Sequence, residues 1–389
     1  MKKFLGVALA SAMVLSLVAC GSSATTETPA AASTEETTAE TTEATEEVAA
    51  EATATVEGAV ALVTDVGTLD DESFNQASWE GVKNYCEANG INYQYFQPQE
   101  DSTEERLAKI DEAVAAGYNV IVMPGYLFGE AASTASETYP DVKFIAIDVS
   151  EFDLTAAPAA NLYTAVFCEE QAGYLAGYAA VKDGYTDLGF LGGMAVPAVV
   201  RYGYGFLYGA DAAAAEMGET INVKYTYGGQ FFGDANITAK MEGWYSEGTQ
   251  VVFACGGGIY TSAVEAALNH DGMVIGVDVD QHSLGKDYAY NPFLTSAMKG
   301  LTSSVESALD TFFTGNWDSI GGQCVTLGLT QGDFVGIATA DDSWEFKTFT
   351  QDEYNTVLES IKSGAITISN DSDAEKHPEL TASNVEYID

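Results

Sequence analysis

Three aspartates close apolar runs in this chain of 389 residues: Asp65 after VALVT, Asp148 after FIAI and Asp278 after VIGV. Other runs end in glycine, at Gly125, at Gly192-Gly193, at Gly228-Gly229 and at glycines 256–258. A carboxylate accepts hydrogen bonds from a polar ligand, and a glycine lets backbone approach one closely. Together they suit a crevice that holds a small molecule without reacting with it. Gly257, in the middle of the longest of these runs, is a candidate contact. Its loop could cradle a phosphate, although no cation follows it, or form a tight turn at a strand end. Signatures of other chemistry are missing: GxxxxGK[ST], GxSxG and HExxH do not occur. His270, His282 and His377 stand too far apart in sequence to suggest a zinc cluster, and Gly189 to Gly193 (GFLGG) lacks the GxGxxG spacing. The expectation is a binding protein, not an enzyme, with no catalytic residue, metal or cofactor.

The stretch Asp65-Val66-Gly67-Thr68-Leu69-Asp70-Asp71 resembles in outline the aspartate cluster with which nucleoside hydrolases hold calcium. That pattern needs Asp-x-Asp ahead of its Asp-Asp pair. Gly67 stands where the second aspartate belongs, which leaves this loop too few oxygen ligands for calcium.

The candidate residues sit on an alternating frame. Strand-like stretches at 59–65, 92–97, 120–123 and 144–148 alternate with helical ones. The first helix, 74–88, is closed by Asn89-Gly90; the second carries Leu107, Ile110 and Val114 on one face and ends at Gly117; the third runs to Tyr139. After a stretch containing Pro and Ala near 155–160 the alternation resumes, with strands at 162–167, 188–191, 223–227, 251–254 and 274–277. Helices start at Glu169, run through Phe206 to Met217, and span 235–247 and 261–269. Such alternation implies an α/β fold, with parallel sheets covered by helices on both faces. Two runs of about 100 residues imply two lobes. In sheets of this kind ligands bind beyond the carboxyl ends of the strands, where the aspartates and glycines stand.

Composition narrows the partners. The chain has 58 acids against 15 bases, a formal charge of −43, and would repel phosphate backbones and anionic headgroups, so nucleic acid is excluded. Lys2, Lys3 and an apolar segment at 4–18 form a leader shorter than the roughly 20 residues that span a bilayer. It ends in Leu17-Val18-Ala19-Cys20-Gly21, which resembles a bacterial lipobox and implies lipidation of Cys20. Residues 21–58 consist almost wholly of Thr, Glu, Ala and Ser, with nine Glu and no Lys or Arg, and are expected to form an extended tether. The remaining part keeps 49 acids and 13 bases, or −36. Its cysteines, Cys86, Cys168, Cys255 and Cys324, have no metal-site spacing and are expected as buried free thiols.

Residues 65–81 read DVGTLDDESFNQASWEG; further on stand EEQAGYLAG at 169–177, GGM at 192–194, IGVDVDQ at 275–281 and LTSAMK at 294–299. In this order the motifs resemble those of the basic membrane protein (PnrA-like) family of substrate-binding lipoproteins, over about 59–341. The resemblance implies a type I periplasmic-binding-protein fold, two doubly wound parallel-sheet lobes joined by crossover segments with a ligand cleft between. It implies a purine nucleoside as ligand (guanosine, adenosine or inosine), an ABC transporter permease as partner, and a lipid anchor on the extracytoplasmic face of the cell membrane. Phe74 would stack on the base. Phe231, in YGGQF at 227–231, matches the second stacking Phe, with Phe232 in competition because the spacing to Asp234 is one residue longer than in the family. Asp65 and Asn75 would contact the ligand from the first lobe, and Asp278 and Lys299 would hydrogen-bond the ribose, each charge compensating the other. Asp70 and Asp71 read as helix N-terminal charges, Trp79 and 169–177 as packing and lobe-crossing structure, and Tyr126 as a residue that could reshape the base pocket. The expected lobes are 59–165 with about 282–322, and 166–281 with about 323–389. A receptor of the same fold for a sugar or other small polar ligand, possibly signalling, is the alternative.

Overall fold

A computed structural model describes residues 56–65 and 67–388; the leader, Cys20, most of the tether and Val66 lie outside the described residues. In chain order the first elements are β1 (Ala59–Val63), α1 (Phe74–Asn89), β2 (Asn92–Phe96), α2 (Thr103–Ala115), β3 (Val120–Pro124), α3 (Gly129–Thr138), β4 (Lys143–Ile147) and β5 (Leu162–Phe167). Then come α4 (Glu169–Lys182), β6 (Asp187–Gly192), α5 (Pro197–Met217), β7 (Ile221–Tyr227), α6 (Ala235–Ser246), β8 (Val251–Cys255), α7 (Tyr260–Asn269) and β9 (Met273–Asp278). The chain finishes with β10 (Phe293–Lys299), α8 (Leu301–Phe313), β11 (Cys324–Leu327), β12 (Val335–Ile337), α9 (Gln351–Lys362) and β13 (Ser383–Tyr387).

Two sheets result, ordered β11-β5-β4-β3-β1-β2 and β12-β10-β9-β8-β6-β7-β13. Every pairing is parallel except β10 with β12. The central strands β3 and β8 are buried at every position, as strands covered on both faces must be, and so lack a polar alternation. Reading β2-β1-β3-β4-β5-β11 against β7-β6-β8-β9-β10-β12 gives the two sheets the same strand order. Each strand of the first lobe therefore has an equivalent in the second, and β13 is an addition beside β7.

The lobe boundaries differ from expectation. The expectation places about 282–322 in the first lobe, but β10 pairs with β9 in the second sheet, and the chain returns only at α8, which packs on α1. Likewise β11 pairs with β5 in the first sheet, whereas the expectation places about 323–389 in the second lobe. A buried strand reads the same in either sheet; what decides its place is that the crossing comes after β10, at Gly300, and not before it. The tether also ends sooner than residue 58: the Val56 amide donates to the Phe313 carbonyl at 3.1 Å.

Helices α4 and α5 meet through glycine. A Cβ on Gly173 or Gly177 would overlap the carbonyl oxygen of Tyr202 or Phe206, and one on Gly205 or Gly209 would overlap that of Glu170 or Tyr174. The contacts advance together along both helices, so the pair is parallel, and backbone touches backbone through Gly-x3-Gly on each side. Its consequence is local: Glu169, at the start of α4, comes side by side with Arg201 in the second turn of α5.

All four cysteines among the described residues are free, and Cys86 and Cys255 are buried. Contrary to expectation, Cys168 and Cys324 are only half-buried, because Cys168 lies on a lobe crossing and Cys324 on the edge strand β11. No described helix is long and apolar enough to cross a membrane.

Candidate functional site

The start of α1 sets one wall. Its cap residue Ser73 does not cap; Asp71 accepts the amides of Ser73, Asn75 and Gln76 at 3.0, 3.0 and 3.1 Å instead. Burial pushes the Asp71 carboxyl up to about 6 against the pull of these bonds. Ser73 Oγ is thereby released to donate to Asp278 Oδ2, at 2.6 Å, from the other lobe. Gln281 Nε2 makes a second crossing, to the Glu72 carbonyl at 2.9 Å.

Asp65, just beyond β1, accepts on Oδ1 from the Gly67 amide at 2.7 Å and from Asn75 Nδ2 at 3.0 Å. Burial raises its pKa. Asn75 Nδ2 also reaches Asp71 Oδ2 at 3.3 Å, while Asn75 Oδ1 is buried with no hydrogen-bond partner.

At the deepest point Lys299, the last residue of β10, is surrounded by carboxylates. Its ammonium lies 2.6 Å from Asp148 Oδ2, 3.4 Å from Glu169 Oε1 and 3.9 Å from Asp278 Oδ1. Lys299 and Asp278 do pair, as expected, but loosely: the nearest counter-charge is Asp148, contributed by the opposite lobe. Asp278 is held by Ser73 and, at 3.5 Å, by the Tyr202 hydroxyl. The equivalent strand ends β4 and β9 present Asp148 and Asp278 with backbone φ of 61° and 66°. That left-handed conformation is uncommon outside glycine and turns each carboxylate toward the lysine from its own side.

Glu169, expected as packing and lobe-crossing structure, also joins this cluster. Arg201 Nε donates to it at 2.7 Å. Burial opposes the Glu169 charge, but Arg201 and Lys299 outweigh it and hold the carboxyl below its usual range. Its neighbour Glu170 feels Arg201 too, but burial, then the Glu169 charge, outweigh it and push the carboxyl up to about 7. Burial also raises Asp148 and Asp278 in spite of Lys299, and the ring of carboxylates keeps Lys299 charged.

Aromatic residues flank the ionic cluster. Lys299 Nζ stands 4.8 Å from the Phe74 ring centre. From the second lobe, Phe231 lies over a platform of glycine: a Cβ on Gly193 would overlap its ring, and one on Gly256 would crowd it. Gly257, at φ 51°, passes under the Phe231 carbonyl, which accepts from the Gly258 amide at 2.8 Å. Its visible role is the tight turn that seats Phe231. Phe232 is 61% exposed.

Asp65, Phe74, Asn75, Phe231, Gly257, Asp278 and Lys299 all line one cavity of about 590 Å³. Asp148, Arg201 and Tyr202 line it too, with Tyr126 and the exposed Asp70 and Asp101. Asp148 carried a signal in its position at a strand end, like Asp278. Arg201 is one of two arginines in the chain, and the spacings Gly173-x3-Gly177 and Gly205-x3-Gly209 mark the helix pair that brings it to Glu169.

The basis for placing this chain among known proteins is broad. Residues 59–372 match the family described as ABC transporter substrate-binding protein PnrA-like. The ABC transporter nucleoside-binding protein BmpA of Lactococcus lactis subsp. cremoris is 31% identical over 290 residues, 70% of this chain and 79% of its own. Basic membrane protein A1 of Borrelia garinii subsp. bavariensis is 32% identical over 281 residues, 70% of this chain and 77% of its own. Among solved structures, an ABC transporter solute-binding protein from Aeropyrum pernix K1 superposes with a TM-score of 0.70 at 21% identity, over 82% of this chain and 94% of that one. The fold is that of type I periplasmic binding proteins, and the chain belongs to the PnrA-like family of ABC transporter substrate-binding proteins.

Proposed function

We propose that the cleft binds a purine nucleoside (guanosine, adenosine or inosine) and that the chain, anchored through a lipid on Cys20 at the extracytoplasmic face of the membrane, delivers it to the permease. One observation carries the reading: Phe74 from the first lobe and Phe231 from the second line a single cavity with the buried Lys299, Asp148 and Asp278. A base held between two aromatic faces gains roughly 1–3 kcal/mol from each. Carboxylates accept from a vicinal diol and an ammonium donates to it, which suits a ribose at the ionic end. Asp148 Oδ1 is buried without a partner and supports the same pose. The exposed Asp70 and Asp101 disfavour a phosphate, so the neutral nucleoside is the better guest than its nucleotide.

Isothermal titration of the protein with guanosine, adenosine, inosine and D-ribose tests this. Saturable binding of nucleosides at micromolar affinity or tighter is expected, lost in Phe74→Ala and in Asp278→Ala. Heat from ribose alone would replace the reading with the sugar alternative, and silence from every nucleoside would remove it. For the anchor, Cys20→Ser is expected to release the protein from the membrane fraction of its cell.

A further inference from the structure

The cavity has two chemically different ends. Asp65 stands beyond β1, two strands across the first sheet from β4, whose Asp148 pairs with Lys299. Asp65 therefore belongs to a second end, away from the lysine. The only cation there, among the described residues, is Arg106; it is 3% exposed, pairs with Asp101 and does not line the cavity. The wall that does line it at this end is dominated by acceptors. Asn75 donates both its amide bonds to Asp65 and Asp71, which fixes its orientation and leaves Oδ1 as an acceptor, buried at 3% exposure and without a partner. Asp65 uses Oδ1 twice, on the Gly67 amide and on Asn75, and among the described residues no hydrogen bond occupies its Oδ2. The two side chains are joined by a hydrogen bond of 3.0 Å, so their free oxygens belong to one patch.

We propose that this patch reads the base by its hydrogen-bond donors, ranking guanosine above inosine and inosine above adenosine. The inference rests on the nucleoside reading, with the ribose at the ionic end and the far edge of the base at Asp65 and Asn75. Guanine offers two adjacent donors on that edge, N1–H and the 2-amino group. Hypoxanthine offers N1–H alone. Adenine presents an N1 lone pair to a carboxylate, which repels it, beside a single amino group. The hydroxyls of Thr68 and Tyr126, which also line the cavity, can donate to a 6-oxo group. A buried acceptor left without its donor loses affinity steeply, so a site of this kind discriminates by absence as much as by contact.

The experiment is a titration series on the unmodified protein with guanosine, inosine, adenosine and 1-methylguanosine, which keeps ring and ribose but lacks N1–H. Inosine is expected about 10-fold weaker than guanosine, and adenosine and 1-methylguanosine about 100-fold weaker. In Asp65→Asn the amide oxygen keeps the bonds to Gly67 and Asn75 while its nitrogen replaces the free oxygen, so the ranking should reverse toward adenosine. Affinities for the three natural nucleosides equal within about threefold, or a ranking that Asp65→Asn leaves unchanged, would overturn the inference and leave the nucleoside reading intact. Binding of no nucleoside at all would overturn both.

Discussion

The two lobes have the same strand order and put different chemistry at equivalent strand ends. Beyond β1 stands Asp65, and at the end of its counterpart β6 stand Gly192 and Gly193. Beyond β3 stands Gly125; beyond β8 stand three glycines under Phe231. Glycine thus follows both β3 and β8, and β4 and β9 agree most closely, each ending at an aspartate in the left-handed conformation. The crossing strands complete the contrast: β5 leads into Glu169 and β10 ends in Lys299. The first lobe thus offers acceptors, the second a backbone platform for an aromatic ring, and the crossings bring the countercharges. The duplicated topology fixes where side chains arrive, and the residue at each position decides what that lobe does.

The largest effect should come from removing the charge both lobes share. Lys299→Met leaves Asp148 and Glu169 buried beside one cation fewer, and loss of one partner from a buried ionic cluster costs about 3–5 kcal/mol. A calorimetric melt should show a drop of many degrees. Asp278→Asn, at 3.9 Å from the ammonium, should cost clearly less. Equal losses would mean that the opposite-lobe pair has no special weight.

Glu169 and Glu170 make a sharper contrast within one helix turn. Glu170 is raised to about 7 by burial and by Glu169, so the folded state binds a proton that the unfolded chain gives up near its ordinary 4.5. Stability from this group is present below about 4.5, falls as pH rises toward 7 and is level above. Glu169, held low by Arg201 and Lys299, has the opposite sign and loses its contribution only as pH falls below its usual range. Glu170→Gln should therefore melt above the unmodified protein at pH 8 by on the order of 3 kcal/mol, and close to it at pH 5. Asp71, raised to about 6, keeps part of the slope. A gain as large at pH 5 as at pH 8 would show that Glu170 is not the titrating group.

The helix pair that sets Arg201 against Glu169 can be tested the same way. Gly205→Ala forces a methyl onto the Glu170 carbonyl and should cost about 1–3 kcal/mol. Gly243→Ala, also in a helix but facing open space, should stabilise by up to about 1 kcal/mol. If the two melts shift alike, close approach at Gly205 is not what holds α4 to α5.

Much of this was legible in the residue order. Apolar runs ending in Asp or Gly mark the strand ends, and with them Gly257, while the motifs from DVGTLDDESFN to LTSAMK carry the family and the other six candidate cavity residues. What was not legible depends on distance through the fold. Lys299 and Asp148 are 151 positions apart and meet only because β10 sits in the second sheet and ends at a crossing. No local pattern distinguishes that from a strand of the first sheet. Glu169 looked like packing because it opens a helix that is buried almost throughout, and only its pairing with Arg201 reveals the charge it compensates.

The choice between Phe231 and Phe232 was open in sequence because one extra residue precedes Asp234, and the two neighbours now differ in a way an experiment can use. Phe231 is seated by the glycine just after β6 and by those in the loop after β8, so its ring has little freedom to leave the cavity wall. Phe232 is held by a backbone bridge to Gly258 and is mostly exposed. A seated ring presents its face at little entropic cost, whereas an exposed one must be immobilised on binding. Phe231→Ala should therefore weaken guanosine binding about 10- to 100-fold, the loss of one stacked face. Phe232→Ala should leave it within about threefold, since a side chain at the rim contributes little to affinity. The opposite pattern in a titration of the two variants would assign the stack to the exposed ring, and the glycine platform would then serve only to turn the chain.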